Sequence, residues 1–266
     1  MTHSYHLPDR ATTYVDSVAQ RCENLIGSGI WSGLEVQQLR AWLTNFVTPL
    51  EHYFAIRILD HLIYRSDSQT VALINQLFQR CLPELLIQTN IQPSATTSVI
   101  EALQTKTQSP IRIVPVVDEN DPPTKSGPTV SRLIKRALNL QDDWIIFPNQ
   151  IGSECHREAR IIVFVDDFLG TGYQFSKFFR SLKVRQSLSG KTLIYTPLIA
   201  HKRGIDQLRR KTPEVKVTFA EQMDDTYNLF GAARSDGVNS STEMYKFYNE
   251  YLRKKNFHLL RKRQLG

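Results

Sequence analysis

The segment Ile161-Ile162-Val163-Phe164-Val165-Asp166-Asp167-Phe168-Leu169-Gly170-Thr171-Gly172 sets two adjacent carboxylates at the end of an apolar run, with a glycine-containing turn directly after them. The apolar part, Ile161–Val165, reads as a buried strand. Acids at the carboxyl end of a strand stand where open α/β sheets take their ligands. The glycines then open a helix that carries Phe175, Phe178, Phe179 and Leu182 on one face. A helix start offers unpaired N–H groups and the positive end of the helix dipole, which together seat a phosphate. Carboxylates a few residues earlier can accept hydrogen bonds from sugar hydroxyls. The pattern points to a sugar phosphate, with ribose on Asp166 and Asp167 and the 5′-phosphate in the turn. The plainer alternative is a strand-to-helix turn whose acids only cap the helix.

Other nucleotide chemistries fit less well. An apolar strand ending in Asp-Asp also suits a Walker-B strand, but that needs a GxxxxGK[ST] loop upstream, and the sequence has none,. In a receiver domain the acid pair would follow the first strand. A second short motif, Lys125-Ser126-Gly127, opens a helix that carries Val130, Leu133, Ile134 and Ala137. It reads either as a solvated turn or as a loop whose lysine meets a diphosphate.

Holding these motifs requires a sheet. Ile111–Val117 is a β-branched run between Pro110 and a polar loop, and Trp144–Phe147 is a short strand. Leu193–Ile199 and Val215–Ala220 give two more, separated by a basic helix from Arg203 to Lys211. Strands alternating with helices predict an α/β fold, a parallel sheet with helices on both faces. Asp224 and Asp225, in the stretch 221–225, read as a surface turn. Upstream everything reads as helix. Val15, Val18, Ala19, Cys22, Leu25 and Ile26 follow a 3.6-residue period, stopped by Gly27. Ser32 with Glu35, and Thr48-Pro49-Leu50-Glu51, have capping spacing for two further helices,. A fourth follows Ser66-Asp67-Ser68 and ends near Pro83, and Tyr245 to Leu260 reads as a closing helix. The expected domains are residues 1–108, all-helical; 109–240, the α/β core; and 241–266, a C-terminal helix and basic tail.

Composition narrows the classes. No apolar run approaches the ~18 residues of a membrane-spanning helix. The first residues reach Asp9 and Arg10 without an apolar core, so no secretory signal is expected,. Cys22, Cys81 and Cys155 form no CxxC pair, which argues against a disulfide scaffold or a zinc site and for a reduced, cytoplasmic setting,. His52, His61 and His201 read as ordinary polar residues. The net charge is +7, and Arg253-Lys254-Lys255 and Arg261-Lys262-Arg263, interleaved with Phe257 and His258, suit a nucleic acid or an acidic protein,. Lys202, Arg203, Arg209, Arg210 and Lys211 read as a solvated face.

The acid pair and its loop resemble the 5-phosphoribosyl-1-diphosphate (PRPP) motif of type I phosphoribosyltransferases. The resemblance covers roughly residues 110 to 225 and implies their parallel-sheet fold,. It places Asp166 and Asp167 on the ribose 2′- and 3′-hydroxyls, and Gly170, Thr171, Gly172, Tyr173 and Gln174 around the 5′-phosphate. Lys125, Ser126 and Gly127 fall where the family has its pyrophosphate loop, and magnesium would accompany the diphosphate. The family's loop usually ends in Thr where this chain has Gln174. Relatives acting on 6-oxopurines place an acid where this chain has Gly170, which argues against such a salvage enzyme. With its helical N-terminal region, the loop Val-Asp-Asp-Phe-Leu-Gly-Thr-Gly looks like the phosphoribosyltransferase-like proteins of bacterial conflict and anti-phage systems, retron-associated ones included. That resemblance implies an effector or regulator that modifies or degrades nucleotides. The alternative is a non-catalytic nucleotide sensor or scaffold. It would bind a nucleic acid through its basic tail or a partner protein through its helical domain. A conventional nucleobase salvage enzyme is third.

Overall fold

The computed structural model describes residues 4–91, 98–104, 109–117, 126–156, 158–182, 185–231 and 237–252. Lys125 and the basic clusters at 253–255 and 261–263, with Phe257 and His258, lie outside the described residues. The chain divides into two units, Met1–Asp67 joined by Asp225–Gly266, and Ser68–Asp224.

The first unit opens with three helices, α1 (Ala11–Gly27), α2 (Val36–Leu43) and α3 (Pro49–Asp60). The cap of α2 is Glu35 rather than Ser32. The Glu35 N–H donates to Gln38 Oε1 at 2.9 Å, so the box is formed three residues later than the Ser32–Glu35 spacing suggests. At α3 the expected box forms. The Glu51 N–H donates to Thr48 Oγ1 and the Thr48 N–H donates to Glu51 Oε2, both at 3.2 Å, with Pro49 in the first turn,.

In the second unit α4 (Asp67–Gln76) runs through a π turn, Leu77–Cys81, into α5 (Leu82–Gln88). The sequence suggests a stop near Pro83. Instead Pro83 lies in the first turn of α5, and the widened turn before it accommodates the bond a proline nitrogen cannot donate. Next come α6 (Val99–Gln104), β1 (Ile111–Pro115), α7 (Ser126–Leu138), β2 (Ile161–Leu169), α8 (Tyr173–Ser181), β3 (Thr192–His201), α9 (Lys202–Lys211), β4 (Val215–Val217) and β5 (Glu221–Met223). The sheet is parallel throughout, in the order β1-β2-β3-β4, with β5 beside the far end of β3. Residues 221–223 are thus a strand where a turn was expected. The segment expected as a strand at Trp144–Phe147 is a single parallel bridge, Ile145 to Ile113, on the outer side of β1.

Counting that bridge, the sheet reads second, first, third, fourth, fifth in chain order. Val130, Ile134 and Leu138 of α7 cover one face. Phe175, Phe178 and Phe179 of α8, with Ile205 and Leu208 of α9, cover the other. The connections change face between β1 and β2. This is the topological switch point at which open sheets take ligands.

The last part of the chain returns to the first unit through α10 (Ser241–Lys246) and a π turn, Phe247–Leu252. Met244 and Phe247 share a cluster with Tyr5, Ala11, Tyr53 and Phe54, and the rings of Tyr5 and Phe247 stack 4.8 Å apart. Asn239 binds the His6 backbone twice, at 2.7 and 2.8 Å. The division therefore differs from 1–108, 109–240 and 241–266. Leu77, Phe78, Leu82 and Leu103 pack with Ile111, Ile113 and Val163, so α4–α6 form a layer on the sheet.

Candidate functional site

The strand β2 runs to Leu169, past the end expected at Val165, and keeps both acids within its ladder. Asp166 pairs with Pro197, Phe168 with Ile199 and Leu169 with Ala200 of β3. Side chains alternate across a strand, so Asp166 falls on the face of Ile162 and Phe164, whereas Asp167 falls on that of Val163 and Val165. Asp166 is 2% exposed, and Asp167 is open to solvent. The two acids expected to share a ribose therefore differ in burial, while their carboxyls remain in side-chain contact.

The surroundings of Asp166 are specific. Its Oδ2 accepts from the Tyr195 hydroxyl at 3.1 Å and its Oδ1 from the Asp167 N–H at 3.0 Å. The Tyr195 ring stacks on Phe175 of α8 with centroids 3.9 Å apart. Burial, with the charge of Asp167 beside it, pushes the Asp166 carboxyl up to about 8,. Burial, with Asp166 as neighbour, pushes the Tyr195 phenol well above its ordinary value.

Gly170, Thr171 and Gly172 form the turn into α8. Gly172 caps that helix in the left-handed region, φ 77°, where a side chain is strained. A Cβ there would also lie 3.1 Å from the Gly204 carbonyl oxygen. The Ser176 N–H is the first to find a helical acceptor, Gly172 O at 3.1 Å, so those of Tyr173, Gln174 and Phe175 precede any such partner. The Tyr173 N–H approaches Thr171 Oγ1 at 3.4 Å. The turn is thus built as an anion seat at a helix N-terminus. Phe168 and Tyr173, 47% and 65% exposed, flank it.

The second motif lies at the same edge. Ser126 starts α7, and Gly127 packs so tightly on the end of β1 that a Cβ would sit 2.9 Å from Val116 O. Two contributors escaped the sequence reading. Gly204, in the first turn of α9, lets that helix meet the phosphate turn; a Cβ there would run into Gly170 O and stand 2.8 Å from Leu169 Cγ. Its signal was a lone glycine in a helical pattern, which marks close backbone approach. Tyr195 was hidden in an apolar strand, where a buried hydroxyl requires a partner. His201 caps α9 through its Nδ1, which accepts from the Arg203 N–H at 3.2 Å. Among the described residues no three His, Cys, Asp or Glu gather as a metal site, and no helix is long and apolar enough to cross a membrane.

Residues 39–266 match the family model described as PRTase-CE. The chain belongs to the PRTase-CE family. It is a phosphoribosyltransferase-like protein, and the family match reaches back into α2, so it takes in part of the helical region as well as the sheet. No curated protein matches it in sequence. Among solved structures, the AQ2163 protein from Aquifex aeolicus aligns at 14% identity over 64% of this chain and 84% of its own, with a TM-score of 0.38.

Proposed function

We propose that this PRTase-CE protein binds a 5-phosphorylated ribose, as PRPP or a nucleotide, at the carboxyl ends of β1 and β2. The observation that carries the reading is the Gly172-capped start of α8, set directly after a strand end that presents Asp167. The phosphate would rest on the N–H groups of 170–174, and Asp167 would face the sugar. Lys125, Ser126 and Gly127 would serve the diphosphate. Asp167 is a hard oxygen donor of the kind magnesium accepts. A magnesium ion arriving on diphosphate keeps several waters and requires little more from the protein. Bound there, it would neutralise the leaving diphosphate.

The resemblance of the acid–glycine segment supports the further reading, an effector or regulator in bacterial anti-phage defence that modifies or degrades nucleotides. Partners would be a nucleic acid at the basic tail or a protein at the helical unit. The burial of Asp166 favours a second reading, a nucleotide sensor without turnover. Calorimetric titration of PRPP with magnesium decides first, using wild type, Asp167→Asn and Gly172→Ala. Micromolar binding lost in both variants supports the site, and no binding to folded wild type removes it. Diphosphate release or nucleotide loss that vanishes in Asp167→Asn identifies an enzyme; binding without either identifies a sensor.

A further inference from the structure

The first unit carries an aromatic surface that the ribose-phosphate reading leaves unused. In α10 and the π turn after it, Met244 and Phe247 are fully buried, whereas Tyr245 and Tyr248 are 54% and 38% exposed. Phe230 joins the two tyrosines. Its ring meets Tyr245 edge-on with centroids 5.4 Å apart, and Tyr248 at 5.7 Å. Tyr248 also lies nearly parallel to the buried ring of Phe54, 6.2 Å away. Both tyrosines are therefore braced from within while part of each ring stays in water. Exposed apolar residues scattered singly are ordinary, but a contiguous aromatic group marks a recognition surface. Rings that are already held lose little freedom when a ligand arrives.

Charge gathers directly after this surface. Lys246 is exposed between the two tyrosines. Residues 253–266 hold six Lys and Arg and no Asp or Glu, so six of the seven net positive charges belong to this stretch and the rest of the chain carries +1. Arg253 follows Tyr248 by five residues, at most about 18 Å of chain, so a ring and a cation can engage the same short ligand. Concentrated positive charge attracts a polyanion, and open ring faces choose among polyanions. A duplex keeps its bases stacked inside, and an acidic peptide brings charge without flat rings. A single strand brings both phosphates and exposed base faces.

We propose that Tyr245 and Tyr248 form a stacking platform for the unpaired bases of a single-stranded nucleic acid, whose phosphates are met by the cations of residues 253–263. The proposal rests on the basic-tail reading above and is independent of the ribose-phosphate site.

The test uses the full chain and fluorescence anisotropy with labelled oligo(U) and oligo(dT) of about twenty nucleotides, a duplex of equal length, and polyglutamate as competitor. Binding of either single strand supports the proposal, and the tighter of the two names the sugar. The duplex should bind at least about tenfold more weakly. The logarithm of affinity should fall against that of salt concentration with a slope near about −4, the value for six neutralised phosphates on a single strand. Tyr245→Leu with Tyr248→Leu keeps apolar bulk against Phe230 and Phe54 but offers no ring, and should weaken binding at least about tenfold with the slope unchanged. Tyr245→Phe with Tyr248→Phe restores the rings and should bind within about twofold of wild type. Where the Leu pair does not fold, Tyr245→Leu alone, at the more exposed position, should weaken binding at least about threefold. Gln in place of the six cations should flatten the slope and abolish binding. Binding that needs those cations but is indifferent to folded Leu variants overturns the platform and leaves the tail reading standing. Duplex or polyglutamate bound as tightly as the single strand overturns the single-strand assignment. Failure of wild type to bind any strand removes the tail reading and the platform with it, whatever PRPP does at its own site.

Discussion

Two ionisable side chains are buried on the same face of the sheet, one at each edge, and their surroundings are opposite in kind. Arg112, near the start of β1 and 4% exposed, donates to His156 Nδ1 at 3.1 Å and to the carbonyls of Ser109 and Ile111 at 2.6 and 2.9 Å. Its guanidinium lies 4.4 Å from the centroid of the Trp144 ring. No acid among the described residues pairs with it, but carbonyl dipoles and the ring quadrupole replace much of its hydration. Arginine stays charged in such a site. Asp166, at the far end of β2, meets a hydroxyl, an N–H and the side chain of Asp167, a like charge next in the chain. The amino-terminal edge satisfies its buried charge; the carboxyl-terminal edge suppresses one beside the candidate ligand seat. Perturbed groups of the second kind collect at functional sites.

The largest effect that would break this contrast concerns pH. Asp166 is neutral in the folded chain up to about pH 8, whereas unfolded aspartate ionises at about 3.9. Its contribution to stability is therefore fully present below about pH 4, is lost as pH rises to about 8, and is constant above. Urea unfolding between about pH 5 and pH 9 should show a decline in wild type that is shallower in Asp166→Asn. Identical slopes would mean that the acid is ionised in the fold. Next in size, Arg112→Met leaves buried carbonyls without a donor and should cost about 3 kcal/mol in the same assay, with the PRPP affinity of the folded protein essentially unchanged. A matching loss of affinity would show that the two edges are coupled.

Two smaller changes sharpen the contrast at the ligand edge. Gly204→Val forces α9 away from the phosphate turn; about 2 kcal/mol of stability and at least about tenfold in PRPP affinity should go together, measured by denaturation and calorimetry. Tyr195→Phe should cost about 1 kcal/mol, because one hydrogen bond is lost while the ring stack remains. It should also move the Asp166 carboxyl further up, since the Tyr195 hydrogen bond lowers it. Carbon-13 titration of the labelled carboxyl checks the direction.

Much of this was legible in the chain. Thr48-Pro49-Leu50-Glu51 announces a helix start because its side chains satisfy that helix's own backbone groups, a local transaction,. The core strands could be read because runs such as Ile161–Val165 are buried on both faces,. Pro83 misled because its cost is absorbed by a π turn next to it. The partition into units was hidden for another reason. Tyr5 and Phe247 meet across nearly the whole chain, and no local pattern encodes such a contact.

By itself, the sequence determined that a buried strand ends in two acids and a glycine turn at the start of a helix, because side-chain period, β-branching and glycine's freedom at positive φ act within a few residues. Only the tertiary structure decided which acid faces outward. That depends on β2 staying paired with β3 as far as Asp166–Pro197, since side chains alternate along a paired strand. It depends equally on Gly204, whose missing side chain lets a second helix press against the turn.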